Sequence, residues 1–185
     1  MLEKIIDLDK SLFVFLNNLG SEPFDAIWLL ITKQFNWTPF FLLLLYILYK
    51  KIGQKQLLLT LLFIAVMITF SDQITNLVKN NVQRLRPCND EELNGLIRIV
   101  RDSETFSYFS GHASNSMAAM MFVFLLLRNY YKYAYLIFLY PLIFAYSRIY
   151  LGLHFPLDII SGYAFGALTG ILFYYIYKKV ALKFS

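Results

Sequence analysis

The chain has 185 residues, of which 58% are hydrophobic, 18% aromatic and only 16% charged, against roughly 45–50% apolar and about 25% charged in an average soluble domain. With a mean hydropathy of +0.54, this composition excludes an ordinary water-soluble globule and an intrinsically disordered chain. A single cysteine, Cys88, excludes an internal disulfide, and the net charge of +5 points to nucleic acid only if the bases gather on one face.

At the amino terminus, MLEKIIDLDK mixes charges of both signs where a secretory leader needs a basic start and an apolar run, so no cleavable signal peptide is expected. Residues 11–31 hold an amphipathic SLFVFLNNL and then Glu22, Pro23 and Asp25, so residues 1–33 are predicted to form interfacial helices and not an extra crossing. Crossing the hydrocarbon core takes about 20 mostly apolar residues. Five segments come close: 34–49, 56–78 (interrupted only by Asp72), 113–127, 133–147 and 159–177. The expected fold is an all-α integral membrane helix bundle of about five spanning helices, forming one membrane-embedded unit over residues 1–185. Within the last segment, Gly162, Gly166 and Gly170 recur at four-residue steps, which predicts close packing of another helix of the same bundle.

The charges divide by side. The joint after the first segment, the joint between the third and fourth, and the carboxyl-terminal tail hold Lys50, Lys51, Lys55, Arg128, Lys132, Lys178, Lys179 and Lys183 and no acid. The other side carries the remaining nine bases with eleven acids. Basic joints stay in the cytoplasm, so residues 79–112 are expected on the outer face of the cytoplasmic membrane. This distribution explains the +5 without nucleic acid. Tyrosines 46, 49, 130, 131, 133, 174, 175 and 177 crowd the inner ends, as an interfacial aromatic belt does.

Under this topology the polar residues at the segment ends meet on the outer side. Lys79 and Arg86 follow the second segment, His112 opens the third, Arg148 closes the fourth, and His154 and Asp158 open the fifth. Ionisable groups at a bilayer are costly, which makes such a cluster a candidate site. Lys79, Arg86 and Arg148 suit phosphate. Ser110 is placed to cap the helix that follows, leaving the first N–H groups after Gly111 free to face an anion. His154 and Asp158 stand one turn apart, so the carboxylate can fix the ring tautomer that leaves the other nitrogen free to attack, and His112 remains as the proton donor. Together these groups describe phosphomonoester or diphosphate hydrolysis.

The strings K-x6-R-P (Lys79 to Pro87), S-G-H (Ser110 to His112) and S-R-x5-H-x3-D (Ser147 to Asp158) together resemble the three-part signature of the type-2 phosphatidic acid phosphatase, or lipid phosphate phosphatase, superfamily. One departure is Phe109, where many members carry proline. The resemblance implies that Lys79, Arg86, Arg148, Ser110 and the Gly111 N–H hold the phosphoryl oxygens, that His154 forms a phosphohistidine, that Asp158 orients it and that His112 protonates the leaving group. It also implies no metal and no other cofactor.

The substrate is expected to be a membrane lipid phosphate, since its headgroup must reach the site while its tail stays in the bilayer. Roughly thirty loop residues suit a slim linear headgroup, so undecaprenyl pyrophosphate is the lead expectation, with phosphatidylglycerophosphate, phosphatidic acid and lipid A phosphates as alternatives in the class. A lipid-phosphate transporter, the non-enzymatic alternative, needs charges through the membrane depth, where only Asp72 lies. Asp72 shares a helix face with Asn76 and Lys79 and is read as part of a structural polar stripe. Arg84, Arg98 and Arg101 lie among Asp90, Glu91, Glu92, Asp102 and Glu104 and are expected to form a solvated surface.

Overall fold

In the computed structural model, which describes residues 2–183, the chain is all-helical, with no strand among these residues. Met1, Phe184 and Ser185, at the ends of the expected interfacial segment and basic tail, lie outside the described residues. Among the described residues, six α-helices occur in the order α1 (Leu2–Asn18), α2 (Asp25–Ile31), α3 (Thr38–Val82), α4 (Gly111–Leu127), α5 (Leu139–Tyr150) and α6 (Pro156–Ala181), with short 3₁₀ turns between them.

The first two apolar segments were expected as separate helices. They follow one another as two arms of α3, broken at Gly53, whose φ of 75° and ψ of 174° are non-helical. Glycine populates positive φ without the Cβ clash that other residues meet, so the reversal falls inside YKKIGQKQ. The two arms of α3 stand against α4, and α5 is lengthened at its start by the 3₁₀ turn Ala134–Phe138. Leucine, isoleucine and phenylalanine side chains cover the outer surfaces of these helices: Leu58, Leu62, Leu142, Leu168 and Leu172 are all at least half exposed. Apolar side chains on the outside are what a lipid solvent selects, and the chain is an integral membrane helix bundle.

The basic, tyrosine-rich ends of the segments lie together at one end of the bundle. Lys51 Nζ lies 5.8 Å and 5.2 Å from the ring centres of Tyr130 and Tyr131, and the Tyr177 hydroxyl donates to Gln56 Oε1 at 3.1 Å.

Helices α1 and α2 are short pieces laid against the bundle. On α1, Ile5, Leu8, Leu12 and Phe15 form an exposed apolar stripe at helical spacing, while Asp9, Phe13 and Asn17 are buried on the opposite side. The Asn17 carboxamide donates to the carbonyls of Arg98, Ile149 and Tyr150 and accepts from the Arg98 N–H at 2.7 Å. Trp28 of α2 stacks on Tyr150 at 5.1 Å. Helix α1 thus turns an apolar face outward and its polar anchors toward the bundle.

The tightest seam joins α4 and α6. A Cβ added at Gly162 would fall 2.7 Å from the Ser110 carbonyl oxygen and one at Gly170 2.6 Å from that of Ala118, while one at Gly166 would overlap the Ser114 carbonyl. The four-residue glycine stripe therefore serves packing inside the bundle, as expected. Gly166→Val forces the two backbones apart and is expected to destabilise the fold by about 1–3 kcal/mol, the usual scale of overpacking. Thermal unfolding of the purified protein in detergent measures this, and an unchanged melting temperature would show that the seam is not a backbone contact.

Candidate active site

The seam brings the two histidine motifs together. The Ser110 N–H donates to the Asp158 carbonyl at 3.0 Å, so the start of α4 is bonded to the start of α6. Ser110 Oγ accepts from the Ala113 N–H at 3.4 Å, giving the helix cap expected of it. Ser110 is fully buried and lies outside the lining of the chamber described below, whereas Gly111 and His112 line it.

His154 sits in the turn between α5 and α6 and is 1% exposed. Its Nδ1 lies 3.3 Å from Asp158 Oδ2, which also accepts from the Phe155 N–H at 2.9 Å. A carboxylate can only accept, so Nδ1 carries the hydrogen and Nε2 is bare. Nε2 faces Arg86 Nη1 at 3.2 Å. Arg86 is held from behind, with Nε donating to the Thr105 carbonyl, Nη2 to Thr105 Oγ1 and Nη1 to the Leu153 carbonyl. Burial pulls the guanidinium below its ordinary pKa.

Arg148 is buried behind this turn. Its carbonyl accepts from the N–H groups of Leu153 and His154, its Nη1 donates to Thr32 Oγ1 at 2.7 Å, and its buried Nε has no hydrogen-bond partner among the described residues. Lys79, in the last turn of α3, makes no ion pair among the described residues. Lys79, Arg86, Gly111, His112 and His154 all face one chamber of about 550 Å³ between the arms of α3 and α4. The His112 ring packs 5.2 Å from Phe144 of α5, and the rest of the chamber is mainly apolar, with Leu44, Leu48, Ile64 and Val123.

Two arginines expected on a solvated surface are instead ion-paired. Arg84 Nη1 donates to Asp158 Oδ1 at 2.8 Å and Nη2 to Asp9 Oδ2 at 2.7 Å, with its guanidinium 4.0 Å above the Phe155 ring. Its side chain is 18% exposed. Asp9 Oδ1 in turn accepts from the Leu157 N–H, so α1 is tied to the first turn of α6 through the same acid that holds His154. Arg98 pairs with Asp25 at 2.8 Å, and Tyr150 donates to that carboxylate. Local charge balance hid these partners, because Asp9 and Asp25 come from the distant amino-terminal helices. A signal was present: Asp9 precedes Phe13 and Asn17 at four-residue steps, the face of α1 that is buried. Arg101 is exposed, as expected.

Burial, reinforced by the charges of Arg86, Arg148 and Lys79, pushes the His154 pKa well below the ordinary 6.5. Protonation would add a cation to a dry site that already holds cations, so the ring stays neutral as pH falls through 6.5. An unfolded chain takes up that proton below about 6.5 and the folded one does not, so this group lowers stability as pH drops from that value toward the folded pKa. The chain has only two histidines. Imidazole ¹⁵N spectra in detergent are expected to show His154, assigned by its loss in His154→Asn, as the neutral Nδ1–H tautomer from pH 8 down to pH 5. A ring titrating at the ordinary value would contradict this geometry.

Comparison with known proteins places the chain. The PAP2 superfamily model matches residues 59–181, from the second arm of α3 through α6. A lipid A 4'-phosphatase of Bacteroides thetaiotaomicron is 35% identical over 187 aligned residues, covering 99% of this chain and 83% of that protein. A second lipid A 4'-phosphatase, from Porphyromonas gingivalis, is 27% identical, covering 95% and 75%. Two crystal structures share the fold. A transmembrane PAP2 type phosphatidylglycerolphosphate phosphatase from Bacillus subtilis superposes with a TM-score of 0.69 at 17% identity, covering 98% of this chain and 88% of that one. Aquifex aeolicus LpxE superposes with a TM-score of 0.63 at 22% identity, covering 90% and 94%. Undecaprenyl pyrophosphate, the expected lead substrate, finds no support among these relatives, and neither does a transporter. The chain belongs to the PAP2 superfamily and is a membrane lipid phosphatase.

Proposed function

We propose that this phosphatase removes a phosphate monoester from a sugar-headed membrane lipid of the lipid A type, through a phosphohistidine on His154. The observation that carries the mechanism is that His154, His112, Lys79 and Arg86 line one chamber whose walls are otherwise mostly apolar, with His154 Nε2 turned to Arg86. The phosphate enters at the cationic end while the lipid keeps its chains in the apolar part and the bilayer. Arg86 gives up its contact with Nε2 and takes a phosphoryl oxygen, Lys79 takes another, and the unpartnered Nε of Arg148 adds positive potential from behind. Ser110 holds the turn from which the Gly111 and His112 N–H groups face the anion.

In the first step Nε2 of His154 attacks phosphorus in line, the bond to the lipid oxygen breaks, and His112 gives its proton to that oxygen. Asp158 accepts the Nδ1 hydrogen bond and stabilises the positive charge that the ring gains. Arg84 and the Phe155 N–H keep the carboxylate aimed. In the second step a water gives a proton to His112 and attacks the phosphohistidine, which releases phosphate and restores the free ring. The cations supply the electrostatic stabilisation that magnesium supplies in many phosphoryl transfers, and no metal is required.

The lipid A-type substrate is supported by the 35% identity over 99% of the chain to a lipid A 4'-phosphatase. The basic joints support an orientation with the site on the outer face of the cytoplasmic membrane. Phosphate release from bisphosphorylated lipid A, phosphatidylglycerophosphate, phosphatidic acid and undecaprenyl pyrophosphate in mixed micelles ranks the substrates, with mass spectrometry locating the phosphate lost. The expected result is the highest kcat/KM for lipid A, loss from the 4' position, full activity in chelator, and activity in His154→Ala lower by about 10⁴-fold or more, the scale for loss of a catalytic nucleophile. A preference for phosphatidic acid or the prenyl diphosphate would overturn the substrate, and strict magnesium dependence would overturn the mechanism.

A further inference from the structure

Deeper in the chamber, past the phosphate-facing groups, α3 and α4 contribute polar side chains whose hydrogen bonding is incomplete. Asp72 Oδ1 accepts from Asn115 Nδ2 at 2.6 Å, and both residues line the chamber with Thr75. Asp72 Oδ2 makes no hydrogen bond among the described residues. Asn115 Oδ1 and Thr75 Oγ1 are buried with no partner among them. The Thr75 methyl reaches the phosphate-binding turn, 3.5 Å from where a Cβ on Gly111 would lie. Asn115 follows His112 by three residues and Asp72 precedes Lys79 by seven, so these acceptors lie roughly 5–10 Å further along the helices than the groups that face the phosphate. A leaving group whose oxygen is protonated by His112 places its first ring or carbon skeleton there.

Asp72 is exposed and lines the chamber, so its free carboxylate oxygen can accept from an incoming donor, and a hydrogen bond to a charged acceptor is stronger than one between neutral groups. A diacylglycerol leaving group offers ester carbonyls, which are acceptors, and a prenyl chain offers no polar group at all. A sugar ring carries hydroxyl and amide donors within a few ångströms of its phosphate ester. The charge of Asp72 also opposes the second phosphate of a diphosphate.

We propose that Asp72, held by Asn115 and flanked by Thr75, determines specificity: it selects phosphate monoesters whose leaving group presents hydroxyl or amide donors and discriminates against prenyl diphosphates and diacylglycerol phosphates. This rests on the lipid A-type reading above and adds the residues that enforce it. A site built to hydrogen-bond a substrate hydroxyl rejects analogues that lack it far more strongly than an apolar pocket does.

The test uses the full-length protein in mixed micelles, with wild type, Asp72→Asn and the isosteric Thr75→Val each assayed on lipid A, phosphatidic acid and undecaprenyl pyrophosphate, and each melted in the same detergent. Asp72→Asn is expected to lower kcat/KM for lipid A about 10- to 100-fold relative to phosphatidic acid, the scale of a lost hydrogen bond to a charged group, and to raise relative turnover of the diphosphate. Thr75→Val is expected to shift the same ratio in the same direction by about threefold or more, and it carries the test if Asp72→Asn does not fold. Equal losses on all three substrates would show that the pair is only a clamp between α3 and α4, and would overturn the inference while the substrate assignment stands. A wild type that leaves lipid A intact overturns the assignment itself and this inference with it.

Discussion

The backbone contact between α4 and α6 is the constraint on which the site depends. Three glycines let α6 approach until the carbonyls of Ser110, Ser114 and Ala118 fill the space where its side chains would otherwise project. That approach permits the Ser110 to Asp158 bond, and so sets the distance between the turn carrying His112 and the turn carrying His154. Larger residues at the same positions would separate His112 from His154 without touching either. Position in phosphoryl transfer is most of catalysis, so under the proposed mechanism a packing motif with no chemistry of its own governs the chemistry.

Buried charge imposes the second constraint. Asp158 is fully buried and survives as an anchor because three donors converge on it: Arg84, the Phe155 N–H and His154. Arg84 is shared with Asp9, so the amino-terminal helix belongs to the support of the site and is more than a membrane anchor. On the cationic side, Arg86 is held by the Thr105 and Leu153 carbonyls and the Thr105 hydroxyl, while Lys79 and the Nε of Arg148 are left without partners among the described residues. Crowded cations repel one another, and an anion such as the proposed phosphate would offset that repulsion.

Much of this was legible in the chain itself. The five apolar segments, the glycine stripe, the cap at Ser110 and the convergence of Lys79, Arg86, His112, Arg148, His154 and Asp158 on one end follow from hydropathy, four-residue spacing and charge position. Long-range partners were not legible. Arg84 sits between acids in sequence yet pairs with Asp9, 75 residues away, and Arg148 reaches Thr32 across 116 residues. Asp72 read as a polar stripe because its partner, Asn115, lies on a helix 43 residues further along the chain. Spacing reports what one element can present, and only the tertiary arrangement decides which element receives it. The expectation of a prenyl diphosphate rested on counting loop residues, which measures only the roof of the site, and the relatives give it no support.

The most direct test of the central claim is a structure of the wild-type protein with vanadate, whose trigonal-bipyramidal form imitates the transferring phosphoryl group. The account predicts vanadium bonded to His154 Nε2, equatorial oxygens facing Lys79, Arg86 and the Gly111 turn, and the opposite apical oxygen toward His112 with Asp72 and Asn115 beyond it. Vanadate bound elsewhere, or bonded in the site through His112 with His154 still on Arg86, would contradict it.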